Sequence, residues 1–243
     1  YNVIQREGAA RWMARWLLDA DEPIVEPAVK LLTEEESQCT PEGQVMLLPG
    51  ARSTYDLNEE YENQLATRRA EAWKTGDRNR LLAEVRRLAG IHRLEDLPRP
   101  EIETLDSVQQ TGYQIEKLVL WPEAGIALPA LRFVPEKLTS STAVLYLHEE
   151  GKAADASPGG PIERLVQQGS IVLAVDLRGT GQTRPADSEG KDVYTAYLLG
   201  RSYVGLRAED ILISARYLKE QAPTNRPHEV RLIAVGHVGI PAL

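Results

Sequence analysis

Four stretches of the sequence hold residue types that could do chemistry. The first is Gly236-His237-Val238-Gly239, a tight turn after an apolar strand. A sharp strand-to-helix turn can display a nucleophile, and His237 could act as a base there. The second is His148-Glu149-Glu150-Gly151 with Asp155 nearby. These side chains are hard donors, but they follow no known ligand spacing, so no metal site is read from them. The third is Asp176-Leu177-Arg178-Gly179-Thr180-Gly181. Its two glycines imitate part of a dinucleotide fingerprint, but a third glycine and an immediate helix are missing. Arg178 is expected to pin this loop, with Asp176 as its partner. The fourth is Cys39 beside Thr40-Pro41, with no nearby cation to activate a thiol. Glu34-Glu35-Glu36 is read as a solvated helix start. No cofactor is expected.

Composition removes several function classes. The chain has 243 residues, 42% of them hydrophobic and 26% charged, which suits one large domain or parts of two. No apolar run nears the roughly 20 residues of a membrane span. The net charge of −8 is the reverse of what a general nucleic-acid binder needs. One cysteine excludes an internal disulfide framework and a cysteine-based zinc site.

The elements that must position these residues can be read in two blocks. Residues 4–18 read as a helix with almost no room for a cap, and 21–27 as a proline-punctuated linker. Val45 to Leu48 reads as a short strand. A helix is expected from Asp56, as N-cap with Glu59 three residues on, to about Lys74. A second helix carries Leu81, Leu82, Val85, Leu88 and Ala89, and Gly90 stops it. The alternating Arg and Glu residues of 59–87 are read as a solvated face with ion pairs. From residue 111 the pattern changes. Residues 113–121 and 126–134 read as a hairpin, and 142–147, 171–175 and 229–235 as apolar strands. Helices are expected at 162–168 and 203–220. Uncharged strands alternating with helices predict an α/β fold: a parallel sheet covered on both faces, opened by an antiparallel hairpin.

That order resembles the front half of an α/β-hydrolase, preceded by a helical connector. Leu145 to Gly151 resembles the strand-three oxyanion loop, and Asp176 to Gly181 the Asp-x-Arg-Gly-x-Gly loop after strand four. Residues 230–243 resemble strand five, the nucleophile elbow and the helix behind it. The nearest likeness is to the acetyl xylan esterase and dienelactone-hydrolase relatives, some with two hydrolase units in tandem. The resemblance implies three parts. Residues 1–20 are the closing helix of a preceding unit, 21–110 a linker and connector, and 111–243 the N-terminal half of a second unit. Both ends accordingly read as cut.

Two departures from the family pattern matter. Aligning the helix after the elbow puts Gly236 at the serine position, and aligning the first glycine puts Val238 there. Neither register supplies a nucleophile, and the nearest serines, Ser202 and Ser214, lie outside the turn. Glu149 stands where the family has glycine in the oxyanion loop, and a carboxylate opposes a developing oxyanion. His148 is read as structural. No catalytic residue is therefore assigned in this unit. The expected function is a segment of a carbohydrate-ester hydrolase, or else a non-catalytic scaffold or polysaccharide-binding module. The family likeness implies a secreted or periplasmic setting. The strand at 230–235 would offer an open edge to the rest of its own protein or to a second copy.

Overall fold

The computed structural model describes residues 2–186, 190–221 and 229–243. The chain divides into two compact units, Tyr1–Glu71 and Ala72–Leu243.

The first unit is helical and has no buried residue in its helices. Helix α1 (Val3–Leu17) does have a cap. Asn2 accepts from the Gln5 N–H and the Gln5 side chain reaches back, so two residues suffice. Arg6 holds Glu26 at 2.7 Å and keeps that carboxyl below the ordinary carboxylate range. Helix α2 (Glu34–Ser37) is one turn capped by Thr33. Residues Val45–Leu47 form a 3-10 turn where a strand was expected; among the described residues no neighbouring strand supplies a ladder. Helix α3 (Thr54–Thr75) begins two residues before Asp56. Ser53 is the residue whose hydroxyl bonds the Asp56 N–H, while Asp56 answers the Ser53 N–H at 2.6 Å. The capping box is there, shifted by one turn position, with Asp56 at its acidic end.

The second unit opens with helix α4 (Arg78–Ala89), capped by Asp77 and stopped at Gly90, whose φ is 68°. A six-stranded sheet follows. Strands β1 (Glu101–Gln110), β2 (Tyr113–Glu123) and β3 (Ile126–Pro135) form an antiparallel meander. Then come β4 (Thr142–His148), α5 (Pro161–Gln167), β5 (Val172–Val175), α6 (Lys191–Leu198), α7 (Tyr203–Glu220), β6 (Glu229–Val235) and α8 (Gly239–Ala242). The strand order is β1-β2-β3-β5-β4-β6. Strand β4 runs parallel to both β5 and β6, as the apolar runs predicted. This is the front of an α/β-hydrolase sheet.

Strand β1 lies within the stretch read from sequence as connector. Ile102 and Thr104 start a period-2 pattern, but the register shifts between Thr104 and Asp106, which breaks the phase. Every residue of β1 is exposed, so no apolar face marked it. Its carboxylates suit an edge strand: Asp106 meets Lys117 and Glu103 accepts from the Trp121 indole. Helix α6 lies between the strand at 171–175 and the helix at 203–220, where the sequence pattern marked no element. Its N-cap, Gly190, makes no side-chain bond, and Ala196 is its one buried residue.

Alternation along the central strands builds a core on each face. Ala143, Leu145 and Leu147 join Leu173, Val175, Ile211 and Leu218 on the α7 side. Val144 and Tyr146 join Val172, Phe133, Ile162 and Val166 on the α5 side. Both cores end where β4, β5 and β6 release their loops, and three of the four stretches singled out in the sequence lie there.

Strand β6 is the sheet's edge. The Val235 carbonyl accepts from the Glu149 N–H, so by alternation Arg231 and Ile233 turn to β4. Val230, Leu232 and Ala234 turn outward. We expect the chain to associate through this edge, either with itself or with other parts of its protein. Sedimentation at low micromolar concentration should show species heavier than monomer. A stable monomer in which amides 230, 232 and 234 exchange as slowly as 231 and 233 would mean the edge is covered from within.

Candidate functional site

The loops after β4 and β5 are joined by one carboxylate. Asp176 is buried, and its side chain accepts from the Lys152 N–H at 2.6 Å, the Lys152 ammonium at 2.6 Å and the Gln182 N–H at 3.0 Å. Lys152 also reaches Gln182 Oε1 at 2.7 Å. Three donors satisfy a charge that would otherwise be costly to bury. Gly151 and Gly181 sit against it at φ 108° and 49°. A Cβ on Gly151 would stand 2.5 Å from the Gly181 Cα, and one on Gly181 would meet the Asp176 carboxylate. Gly181 is therefore a packing glycine, and so is Gly179, where a Cβ would meet the Tyr203 hydroxyl and the Arg207 guanidinium. Gly181 leads into the 3-10 turn Gly181–Thr183, not a phosphate-cradling helix.

Arg178 does pin the loop, but its partner is not Asp176. Its guanidinium holds Asp210 bidentately, Nε to Oδ2 at 2.8 Å and Nη2 to Oδ1 at 2.6 Å, and touches Glu123 at 3.3 Å. Asp176 points back to the β4 loop, and two residues further the chain has turned toward α7. Burial pushes the Asp210 carboxyl up, while the Arg178 guanidinium pulls the other way. Arg207 completes the frame by donating to the Arg178 and Gly179 carbonyls. It lies over the Tyr203 ring, 4.7 Å from its centroid.

His148 is held within its own loop. Its Nδ1 accepts from the Glu150 N–H at 3.1 Å, and its Nε2 is 4.0 Å from Asp155. Tyr146 donates to the same Asp155 at 2.6 Å. Among the described residues no group of three or more His, Cys, Asp or Glu side chains could hold a metal ion. Cys39 is exposed.

The turn after β6 is built differently. Gly236 has φ 76°, in the left-handed region, and Val238 is buried in the core on the α7 side. The Glu149 carboxylate lies against the turn: Oε2 accepts from the His237 N–H at 2.8 Å. The His237 ring is exposed, 3.8 Å from that oxygen. Both nearby serines are committed to helix α7. Ser202 accepts from the Gly205 N–H at its start, and buried Ser214 donates to the Asp210 carbonyl. A cavity of about 610 Å³ opens beside Lys117, Glu150, Lys152 and Gln182, and its lining includes none of Gly236, His237 and Val238.

Lys152, Asp210 and Arg207 were not selected from sequence. Asp210 left one trace: it stands four and seven residues before Ser214 and Tyr217, on a buried face where a carboxylate needs a cation. Lys152 left none, since lysine after a glycine loop is common on surfaces.

A solved structure from Bacteroides fragilis, of a protein provisionally named an acetyl xylan esterase, is similar to this chain in fold. It matches 61% of this chain and 45% of its own, at TM-score 0.51 and 18% identity. The fold is that of an α/β-hydrolase. Acetyl xylan esterase 1 from Thermoanaerobacterium matches at TM-score 0.44 and 17% identity, over 60% of this chain and 49% of that one. A glucuronoyl esterase from Solibacter usitatus matches at TM-score 0.45 and 16% identity, over 71% and 55%. The chain thus spans about half the length of these structures. No protein-family model and no curated protein matches it.

Two outcomes follow from this geometry. Asp176→Ala leaves the Lys152 ammonium buried without its partner and should cost about 3–5 kcal/mol, read from urea unfolding. The second concerns tyrosine. Burial, then a carboxylate acceptor, pushes the Tyr146 and Tyr203 phenols up to about 12. Each folded value lies above the free value near 10, so each contributes fully below that pH. The contribution is lost as pH climbs through the folded value. A phenolate absorbance titration should show late-ionising groups, fewer by one in Tyr146→Phe, which should also flatten the alkaline loss of stability.

Proposed function

We propose that this chain is a non-catalytic segment of a carbohydrate-ester hydrolase, in which the α/β-hydrolase unit begun here lacks its nucleophile. The observation that carries the reading is Gly236. It sits directly after β6 with φ 76°, the strained backbone that a nucleophile elbow requires, and it has no side chain. The alternative register, with Val238 at the serine position, gives a residue buried in the core and equally unable to attack a carbonyl.

The chemistry supports the same reading. Acyl transfer needs an oxygen or sulfur nucleophile, a base beside it and donors aimed at the developing oxyanion. The turn offers none of the first. His237 has no hydroxyl to deprotonate and projects into solvent. The N–H that follows the nucleophile position, a donor to the oxyanion in this fold, is engaged by the Glu149 carboxylate. The Bacteroides fragilis structure, named as an acetyl xylan esterase, motivates the substrate class, carbohydrate esters, for the protein as a whole. Within it, this unit serves as scaffold beside the unit that does the chemistry.

The purified chain should hydrolyse aryl acetates no faster than buffer with denatured protein. Gly236→Ser alone should remain inactive, because no base is aligned with the new hydroxyl. Stoichiometric labelling of the wild-type chain at one serine by a fluorophosphonate probe would defeat the reading.

A further inference from the structure

We propose that Glu149 is a latch that closes the turn after β6 from within, its carboxylate filling the volume that a side chain at position 236 would occupy. The proposal takes the identity of the turn from the reading above, but the contact itself stands on geometry alone.

Glu149 bonds the chain on both sides of Gly236. Its backbone N–H donates to the Val235 carbonyl at 3.1 Å, adding one rung beyond the β4–β6 ladder. Its side chain then folds over the turn, and Oε2 accepts from the His237 N–H at 2.8 Å. Between these two bonds lies Gly236. A Cβ built there would stand 2.2 Å from the Glu149 Cδ and Oε2 and 2.8 Å from its Cγ. The carboxylate is therefore seated where a side chain at 236 would begin. The positive φ of Gly236 and the bare side of the turn are complementary to it.

The latch is held from both ends. On one side Val238 is locked in the core, so the His237 N–H cannot swing away from the β4 loop. On the other, Arg184 donates to the Glu149 carbonyl at 3.4 Å. The ring of His237, the nearest titratable group on the turn, is exposed and 3.8 Å away. The consequence is mutual exclusion. Either Glu149 bonds the His237 N–H or position 236 carries a side chain, because a Cβ must expel the carboxylate. The loop after β4 and the exit of the edge strand then move as one body. Anything that approaches the turn meets a carboxylate where the fold would otherwise offer an N–H.

The test is amide exchange at His237 in the full chain. In the wild type this amide should be slow for so exposed a residue. In Glu149→Ala and in Glu149→Asp, which keeps the charge but shortens the reach, it should exchange about tenfold faster or more, the equivalent of one lost bond to a charged acceptor. Glu149→Gln keeps an acceptor oxygen and should stay nearer the wild type. Gly236→Ala should release the same amide. Its unfolding constant should rise by at least about tenfold more in the wild-type background than in Glu149→Asp. His237 exchange that is unchanged in Glu149→Asp overturns the latch, and so does an equal Gly236→Ala penalty in both backgrounds. The aspartate variant decides the matter even if the alanine variant fails to fold. Serine labelling would sink the non-catalytic reading and leave these exchange rates untouched, so the two failures are distinct.

Discussion

The buried carboxylate of Asp176 is the constraint on which the ends of the central strands depend. It directly follows β5, and because it is buried it must find donors within the protein. Lys152 brings two of them from the loop after β4, and Gln182 brings a third from its own loop. Satisfying one charge thus fixes two loops, and it forces their backbones so close that only glycine fits at 151 and 181. A hydrophobic replacement of the pair could be as stable in principle. It would not, however, prescribe how the two loops approach each other.

A second carboxylate pair repeats the device one layer outward. Asp210 lies on the buried face of α7 and is paired with Arg178, which ties the helix to the far end of the same loop. Arg207 then caps the carbonyls that this arrangement leaves exposed. The β5 loop is therefore held on one side by the β4 loop and on the other by α7. Charge satisfaction supplies direction where apolar packing supplies only cohesion. Beside this rigid frame the turn after β6 is the exception. It is pinned at Val238 and held across by the Glu149 side chain, and Gly236 carries the left-handed backbone without the group such a conformation serves to display in a nucleophile elbow.

Much of the sheet was legible in the chain. Residues 142–147 and 171–175 are apolar without interruption, and their flanking helices carry a clear inner face, so parallel pairing followed from composition alone. Helix α7 and strand β6 fall where their patterns ended, at Glu220 and Val235. What was lost has physical causes. Strand β1 is exposed throughout and phase-shifted by a bulge, which removes the period that marks a strand. Helix α6 lacks a capping side chain and buries only Ala196. The cap of α3 was misplaced because Ser53 and Asp56 exchange bonds, and either one can be taken for the first residue.

The sequence by itself determined the residue types available for chemistry: glycine, histidine and valine at the turn after the last strand, and glutamate in the loop facing it. It also determined that buried charges would need partners, since Asp176, Arg178 and Asp210 lie in or beside apolar runs. Only the tertiary structure decided which partner each one takes. Arg178 is two residues from Asp176 and bonds Asp210 instead, thirty-two residues away, because the chain turns at Arg178 toward α7 while the loop after β4 holds the Asp176 carboxylate. Likewise, the sequence distance between Glu149 and Gly236 says nothing of their contact. The β4–β6 ladder brings His148 level with Val235, and that register alone sets the next residue's carboxylate against the turn.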